Sequence, residues 1–461
     1  MREEVVEKGG IVSMAGPASY KLAVVSDLHL SEGWDENGYL SRNEDFFFDN
    51  NFKRFLDHLA ETGARGKFSY RLIINGDFVD FLQFTTVPEG REIGGQAITK
   101  KERELGLGAN KVKTLWKLDL LINGHKILFT ALADFADKGN EIFIIPGNHD
   151  IEWVMPEVQE AFKTRLSELA TPPSGGMKDR IRFLPWFYFD PLLSVFVEHG
   201  SQYDDINSFD YLLCPYRKDN SMDLPAGSFF VRYLFNRVEE IFPFADNMKP
   251  MTKFIGWAIL HARTYRHIRK FIRFFLDTIG KAGPVEESWA RELEKRHAEE
   301  MAKLGNSSGI NTPELYDLKK HWVPSALHHR SKVGLVASFF KNSGLDKTYY
   351  RCRAKTVQEV LGTRYVIFGH THESDLCAFP KTGKREYINS GSWTRSFAAD
   401  YEEALLKSEN EFVYVHVGYD ERKKDIKMDL LRWNDGLHEG ERVRLFKERK
   451  QSLQSTKTSH S

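Results

Sequence analysis

Five short clusters of aspartate, asparagine and histidine run along the chain in a fixed order. They are Asp27-Leu28-His29, Gly76-Asp77-Phe78-Val79-Asp80, Gly147-Asn148-His149-Asp150, Glu198-His199-Gly200 and Gly369-His370-Thr371-His372. Together they carry the oxygen and nitrogen donors that a two-cation hydrolytic centre needs. Two divalent cations about 3.5–4 Å apart require one shared ligand and several neutral or anionic donors around each. A carboxylate can bridge, imidazole nitrogen suits zinc, iron and similar ions, and an asparagine carbonyl adds a weak neutral oxygen. No cysteine falls within the clusters, which excludes a structural thiolate zinc site. Asp27/His29 and His370/His372 are spaced i, i+2, so each pair can reach one ion from a strand-to-loop junction. The glycines preceding Asp77 and Asn148 allow tight turns beside the ions.

These groups must be brought together by the elements that carry them. Each cluster follows a short apolar run of the kind buried strands use: Lys21–Ser26, Arg71–Asn75, Glu141–Pro146, Leu193–Val197 and Arg364–Phe368. The clusters then sit at strand C-terminal ends, where open α/β sheets place their sites. Each cluster alone has an ordinary reading as surface polarity, a turn or a satisfied histidine. All five in order, each after a strand pattern, outweigh those readings.

The five motifs make the chain resemble a calcineurin-like metallophosphoesterase, over residues 20–204 and 351–435. The resemblance implies an α/β (α+β) fold, a two-sheet β-sandwich flanked by helices, and two bound divalent ions. Manganese is the first expectation, with iron or zinc as alternatives. One ion would be held by Asp27, His29, Asp77 and His372, the other by Asp77, Asn148, His199 and His370, with Asp77 bridging. His149 would face the scissile phosphate and help the leaving oxygen depart. Asp80 and Asp150 would be supporting carboxylates, and Asp150 is grouped with His149 as catalytic. The reaction implied is in-line attack by a metal-bridging hydroxide on a phosphate monoester, diester or pyrophosphate.

Composition agrees with a globular enzyme. The chain has 461 residues, enough for a large domain with an insertion. Lys plus Arg total 65 and Asp plus Glu total 65, a balance that predicts no nucleic-acid partner. Three cysteines form no framework and point to a reducing, cytoplasmic setting. Residues 1–19 lack the pattern of a signal peptide, and no apolar run is long enough to span a membrane. The polar stretch 436–461 reads as a disordered tail.

The catalytic strands are split by a long stretch with helical periodicity, so residues 205–350 are expected to form a helical cap inserted into the sandwich. Within it, Arg266, Lys270 and Arg273 recur at helical spacing, with Phe254, Ile255, Ile268 and Ile272 largely on the other side. This helix could meet an anionic, lipid-linked or small-molecule phosphate ester, or touch membrane headgroups peripherally. Its plainer reading is a cap helix with packed aromatics and solvated arginines. His328 and His329 read as a surface pair, and Asn389 as a support of the last motif. After that motif, Glu411–Tyr419 and Asp425–Trp433 alternate as a hairpin.

Other readings compete with the general phosphoesterase. A UDP-diacylglucosamine-type pyrophosphatase also carries a helical cap, but that family has arginine where this chain has His149. A nuclease of the same superfamily would need a basic, aromatic groove. A metal-free scaffold would be expected to lack ligands, and none is missing.

Overall fold

The computed structural model describes residues 19–41, 43–170, 175–232, 236, 248–249, 286–329, 347–379, 384–394, 397–398, 412–433 and 441–442. Its twelve principal strands are, in chain order, β1 Tyr20–Val25, β2 Ser69–Asn75, β3 Glu141–Ile145, β4 Ile181–Phe183, β5 Phe187–Asp190, β6 Val195–Glu198, β7 Tyr365–Phe368, β8 Asp375–Phe379, β9 Arg385–Asn389, β10 Phe412–Asp420, β11 Asp425–Trp433 and β12 Glu441–Arg442.

They form two sheets, of seven and five strands, with orders β12-β11-β10-β1-β2-β3-β4 and β8-β9-β7-β6-β5. In the larger sheet β1, β2, β3 and β4 are mutually parallel, while β10 joins β1 antiparallel. In the smaller, β7 lies parallel between β6 and β9. The expected two-sheet fold is therefore present, and each expected strand has its counterpart within about two residues, the usual uncertainty of such boundaries.

Successive residues of these strands point to opposite faces, and both faces are apolar. Leu22 and Val24 of β1 share one core cluster with Ile73, Val195, Val197, Ile367 and Val415, residues drawn from both sheets. Their neighbours Ala23 and Val25 belong to a second cluster with Leu72, Ile74, Phe52, Phe55 and Leu132. Both faces of the central strands are thus covered, which is why they read as continuous apolar runs rather than alternating ones. Each fully buried aliphatic side chain contributes roughly 1.5–3 kcal/mol, so the sheets are held by these layers more than by any single polar contact.

The helix Asp49–Gly66 packs with Phe52, Phe55, Leu56 and Leu59 inward, an i, i+3, i+4, i+7 stripe. Over the smaller sheet, helix Lys347–Leu361 buries Tyr350, Ala354 and Val357, in one cluster with Val366 and Phe368. Between β6 and β7 the described helices are Ala226–Phe230, Glu287–Ser307, Thr312–Lys319, Ala326–His329 and Lys347–Leu361. The Arg266, Lys270 and Arg273 segment lies outside the described residues. Among the described residues no helix is long and apolar enough to cross a membrane. The tail expected to be disordered over 436–461 departs from that expectation at Glu441–Arg442, which extends the large sheet by pairing with β11.

Candidate metal centre

Asp27 and Asp77 stand just beyond β1 and β2, Asn148 beyond β3, His199 directly after β6 and His370 beyond β7. The C-terminal ends of parallel strands from both sheets converge here, as the topology of open α/β layers favours. The backbone turns sharply at the donors. Asp27, His29, Asp77, His370 and His372 all have positive φ, between 47° and 69°. Asp and His tolerate this left-handed region better than most residues, and such conformations gather at functional sites.

Backbone contacts lock the turns together. Asp27 N donates to Gly76 O at 3.1 Å, and His29 N to Asp77 O at 2.9 Å. Gly369 N donates to His199 O at 2.9 Å across the second sheet. There is no space beside these turns. A Cβ on Gly147 would stand 2.1 Å from Asp77 Oδ1, and one on Gly76 would stand 2.2 Å from His199 Nδ1.

Each acidic donor has one oxygen anchored and one presented. Asp27 Oδ2 accepts from His370 N at 3.1 Å, whereas its buried Oδ1 has no hydrogen-bond partner. That Oδ1 faces His372 Nε2 at 3.4 Å and His29 Nε2 at 4.0 Å. Asp77 Oδ1 accepts from His149 N at 2.9 Å. Its Oδ2 lies 3.8 Å from His29 Nε2 and 3.1 Å from His199 Nε2. His29 Nε2 and His372 Nε2 face one another at 3.0 Å. His199 Nδ1 donates to Asn75 O at 3.0 Å, leaving Nε2 beside Asn148 Oδ1 at 3.2 Å.

Two donor sets result. Asp27, His29 and His372 form one, Asp77, His199 and His370 the other, each with its ligand atoms mutually within 4.8 Å, and a third group at the same spacing, His29, Asp80 and His149, shares His29 with the first. Asp77 Oδ2 stands between the first two. An all-N/O donor set with an orphaned buried carboxylate oxygen and two imidazole nitrogens aimed at each other fits divalent cations well.

The electrostatics have the same sense. Burial alone would raise the Asp77 carboxyl, but the imidazoles of His199, His149 and His29 outweigh it and hold it well below the usual range. Asp27, despite burial, is drawn to about 2 by His372 and His199. Burial would lower His199, yet Asp77 beside it carries it up to about 9. Without an ion, a proton on His199 supplies positive charge beside Asp77; cation binding would release it.

His149 stands at the mouth, its side chain 14% exposed, over a fully buried Asp80. Asp80 Oδ2 contacts His149 Nδ1 at 2.6 Å and His29 Nδ1 at 3.4 Å. Asp80 therefore orients both a donor histidine and His149. Asp150 is placed differently from its grouping with His149. Its carboxylate takes the backbone N–H groups of Gly147, Phe78 and Val79 and the indole N–H of Trp153. It ties the turn bearing Asn148 to the turn bearing Asp77.

Asn389 Nδ2 donates to Gly369 O at 2.7 Å, supporting the last motif from the neighbouring strand. His328 and His329 are engaged elsewhere, with Asp223 at 3.0 Å and Asp210 at 3.3 Å. Two contributors were not legible as such in the sequence: Asp204, 3.2 Å from His370 Nε2, and Asn207, 3.3 Å from Asn148 Nδ2. Asp204 follows His199 by five residues, but nothing in that spacing names a partner 166 positions away.

A family described as calcineurin-like phosphoesterase matches residues 20–224. None of the curated proteins matches the chain. Among solved structures, vacuolar protein sorting 29 from Cryptosporidium parvum is 15% identical with a TM-score of 0.14, covering 20% of this chain and 40% of that one. A conserved uncharacterized protein from Streptococcus pneumoniae TIGR4, described as a predicted phosphoesterase, is 18% identical with a TM-score of 0.15, covering 21% and 50%. Zinc-complexed Vps29 from Entamoeba histolytica is 19% identical with a TM-score of 0.15, covering 22% and 47%. The chain spans half or less of the length of these structures.

Proposed function

We propose, from the match of residues 20–224 to the calcineurin-like phosphoesterase family, that the chain is a dinuclear-metal-dependent phosphoesterase. The observation that carries the reading is the placement of Asp77 Oδ2 between two donor sets, 3.8 Å from His29 Nε2 and 3.1 Å from His199 Nε2. Asp27, His29 and His372 would complete one site, and Asn148, His199 and His370 the other. When bound, two such cations supply an activated water as nucleophile and neutralise charge on the phosphoryl oxygens. Manganese is our first assignment, with iron or zinc as alternatives.

The chain's own residues do the rest. His149, whose Nδ1 is held 2.6 Å from Asp80 Oδ2, would give a proton to the leaving oxygen. Asp80, held ionised by His149 and His29 against the cost of burial, stabilises the imidazolium that must donate. Displacement is in line, with the nucleophile opposite the leaving oxygen and no covalent phosphoenzyme. A general acid at this position supports a monoester or diester over the arginine-bearing pyrophosphatases. Residues 20–204 and 351–435 would form the catalytic unit and 205–350 the cap. Three free thiols, Cys214, Cys352 and Cys377, support a reducing compartment such as the cytoplasm.

The test is a substrate panel. Protein stripped with a chelator and reloaded with Mn²⁺ should hydrolyse aryl phosphate mono- or diesters, and the stripped protein should not. Equal activity before and after stripping would remove the metal-dependent reading, and two bound equivalents with no turnover on any phosphoester, nucleotide or UDP-sugar lipid would favour a scaffold.

A further inference from the structure

The segment that opens the insertion reaches back into the metal centre. Asp204 Oδ2 lies 3.2 Å from His370 Nε2 and accepts from Asn207 Nδ2 at 2.7 Å. Asp204 Oδ1 accepts from Ile206 N at 3.1 Å, which fixes the carboxylate's own orientation. Asn207 Oδ1 in turn accepts from Asn148 Nδ2 at 3.3 Å. One short chain of contacts thus runs from His370, through Asp204 and Asn207, to Asn148. Those two ends arrive from opposite sheets and both face the second donor set.

The contacts select which atoms the two donors can offer. With Nε2 held by Asp204, His370 has Nδ1 left for an ion. With its amide N–H₂ held by Asn207, Asn148 keeps Oδ1 turned toward His199 Nε2, 3.2 Å away. Asp204 is 4% exposed, so its charge is shielded from water and the contact is not a passing surface pair. The backbone around Asn207 is packed without slack. A Cβ on Gly227 would stand 2.0 Å from Asn207 Oδ1, and Ser228 Oγ donates to Asn148 O at 3.4 Å.

We propose that Asp204 and Asn207 are positioning residues for the second cation only, setting the ring of His370 and the amide of Asn148, so that the base of the insertion is part of the metal centre. This rests on the dinuclear reading above. Partners that orient ligands in this way typically change metal affinity about 10–100-fold when removed. The contacts of Asp204 and Asn207 fall on His370 and Asn148, both at the second site, so the effect should be selective.

The experiment is Mn²⁺ titration of chelator-stripped full-length protein, following free Mn²⁺ by electron paramagnetic resonance, with the melting temperature of the metal-free protein measured alongside. Wild type should bind two equivalents. Asp204→Ala and Asn207→Ala should each keep one site at wild-type affinity and weaken the other about 10–100-fold, with the metal-free melting temperature of Asn207→Ala within a few degrees of wild type. Should Asp204→Ala fail to fold, Asn207→Ala carries the test alone. Wild-type affinity at both sites, or equal weakening at both, overturns the proposal while leaving the dinuclear reading intact. A wild-type chain that binds neither equivalent overturns the dinuclear reading and this inference with it.

Discussion

Asp80 Oδ2 lies 2.6 Å from His149 Nδ1, and the same oxygen is 3.4 Å from His29 Nδ1. One buried carboxylate therefore holds both imidazoles for which different tasks are proposed, a cation ligand and a proton donor. Removing His149 should spare the ligand and remove the donor. We expect His149→Ala to keep two metal equivalents and slow turnover about 10²–10⁴-fold, the usual weight of general acid catalysis. The loss should shrink for nitrophenyl esters, whose leaving group needs no proton. Metal loss alongside activity would make His149 a ligand instead. Asp80→Asn should impair both tasks, lowering turnover and weakening metal at the His29 site.

Asp77 should be the most sensitive donor. Its Oδ2 lies between the two sets, 3.8 Å from His29 Nε2 and 3.1 Å from His199 Nε2, and a neutral amide cannot hold two cations as a carboxylate does. Asp77→Asn should lose most metal and nearly all activity. Elemental analysis showing two equivalents and wild-type turnover in the variant would sink the bridging assignment.

Gly147 tests the turn rather than the donors. A methyl group there would stand 2.1 Å from Asp77 Oδ1 and 2.5 Å from Asp77 N, so Asp77 must move. Gly147→Ala should fold but bind fewer than two equivalents. Full loading with normal affinity would show that the bridge tolerates displacement.

The basic segment of the insertion is tested by substrate size. Replacing Arg266, Lys270 and Arg273 with Gln should raise KM several-fold for a large or lipid-linked ester. Under the proposed mechanism a small aryl phosphate would touch only the cations and His149, so its turnover should hold. Equal damage to large and small substrates would reject the specificity role.

A buried histidine away from the centre sets a pH limit on stability. His125 sits between Glu44 and Asp49, each 3.0 Å away. Burial would lower its pKa, but these two carboxylates more than offset that and raise it from 6.5 to about 10. The folded value exceeds the unfolded one, so the stabilisation is complete below about pH 6.5 and fades as pH rises through about 10. His125→Gln should cost about 3–5 kcal/mol near pH 6, as breaking a buried pair does. The gap from wild type in denaturant unfolding should narrow between pH 6.5 and 10. A gap that stays constant across that range would contradict a protonated His125.

Much of this molecule was written locally. The apolar runs before Asp27, Asp77, Asn148, His199 and His370 are strands because both faces of each are buried, and burial on both faces is visible in one dimension as an uninterrupted apolar stretch. The Asp, Asn and His that follow them announce their chemistry by residue type alone. Tertiary structure decided what depends on contacts between distant segments. It decided which oxygen of Asp27 is anchored and which is presented, because His370 N arrives from 343 positions away. It gave Asp150 the holding of two turns, since the N–H groups it meets belong to Phe78 and Val79, outside its own motif. And it brought Asp204 to His370, beyond neighbouring parallel strands of the smaller sheet, and Asn207 to Asn148, across the two sheets, pairings with no periodicity or motif to mark them because they form only when strand ends distant in sequence meet.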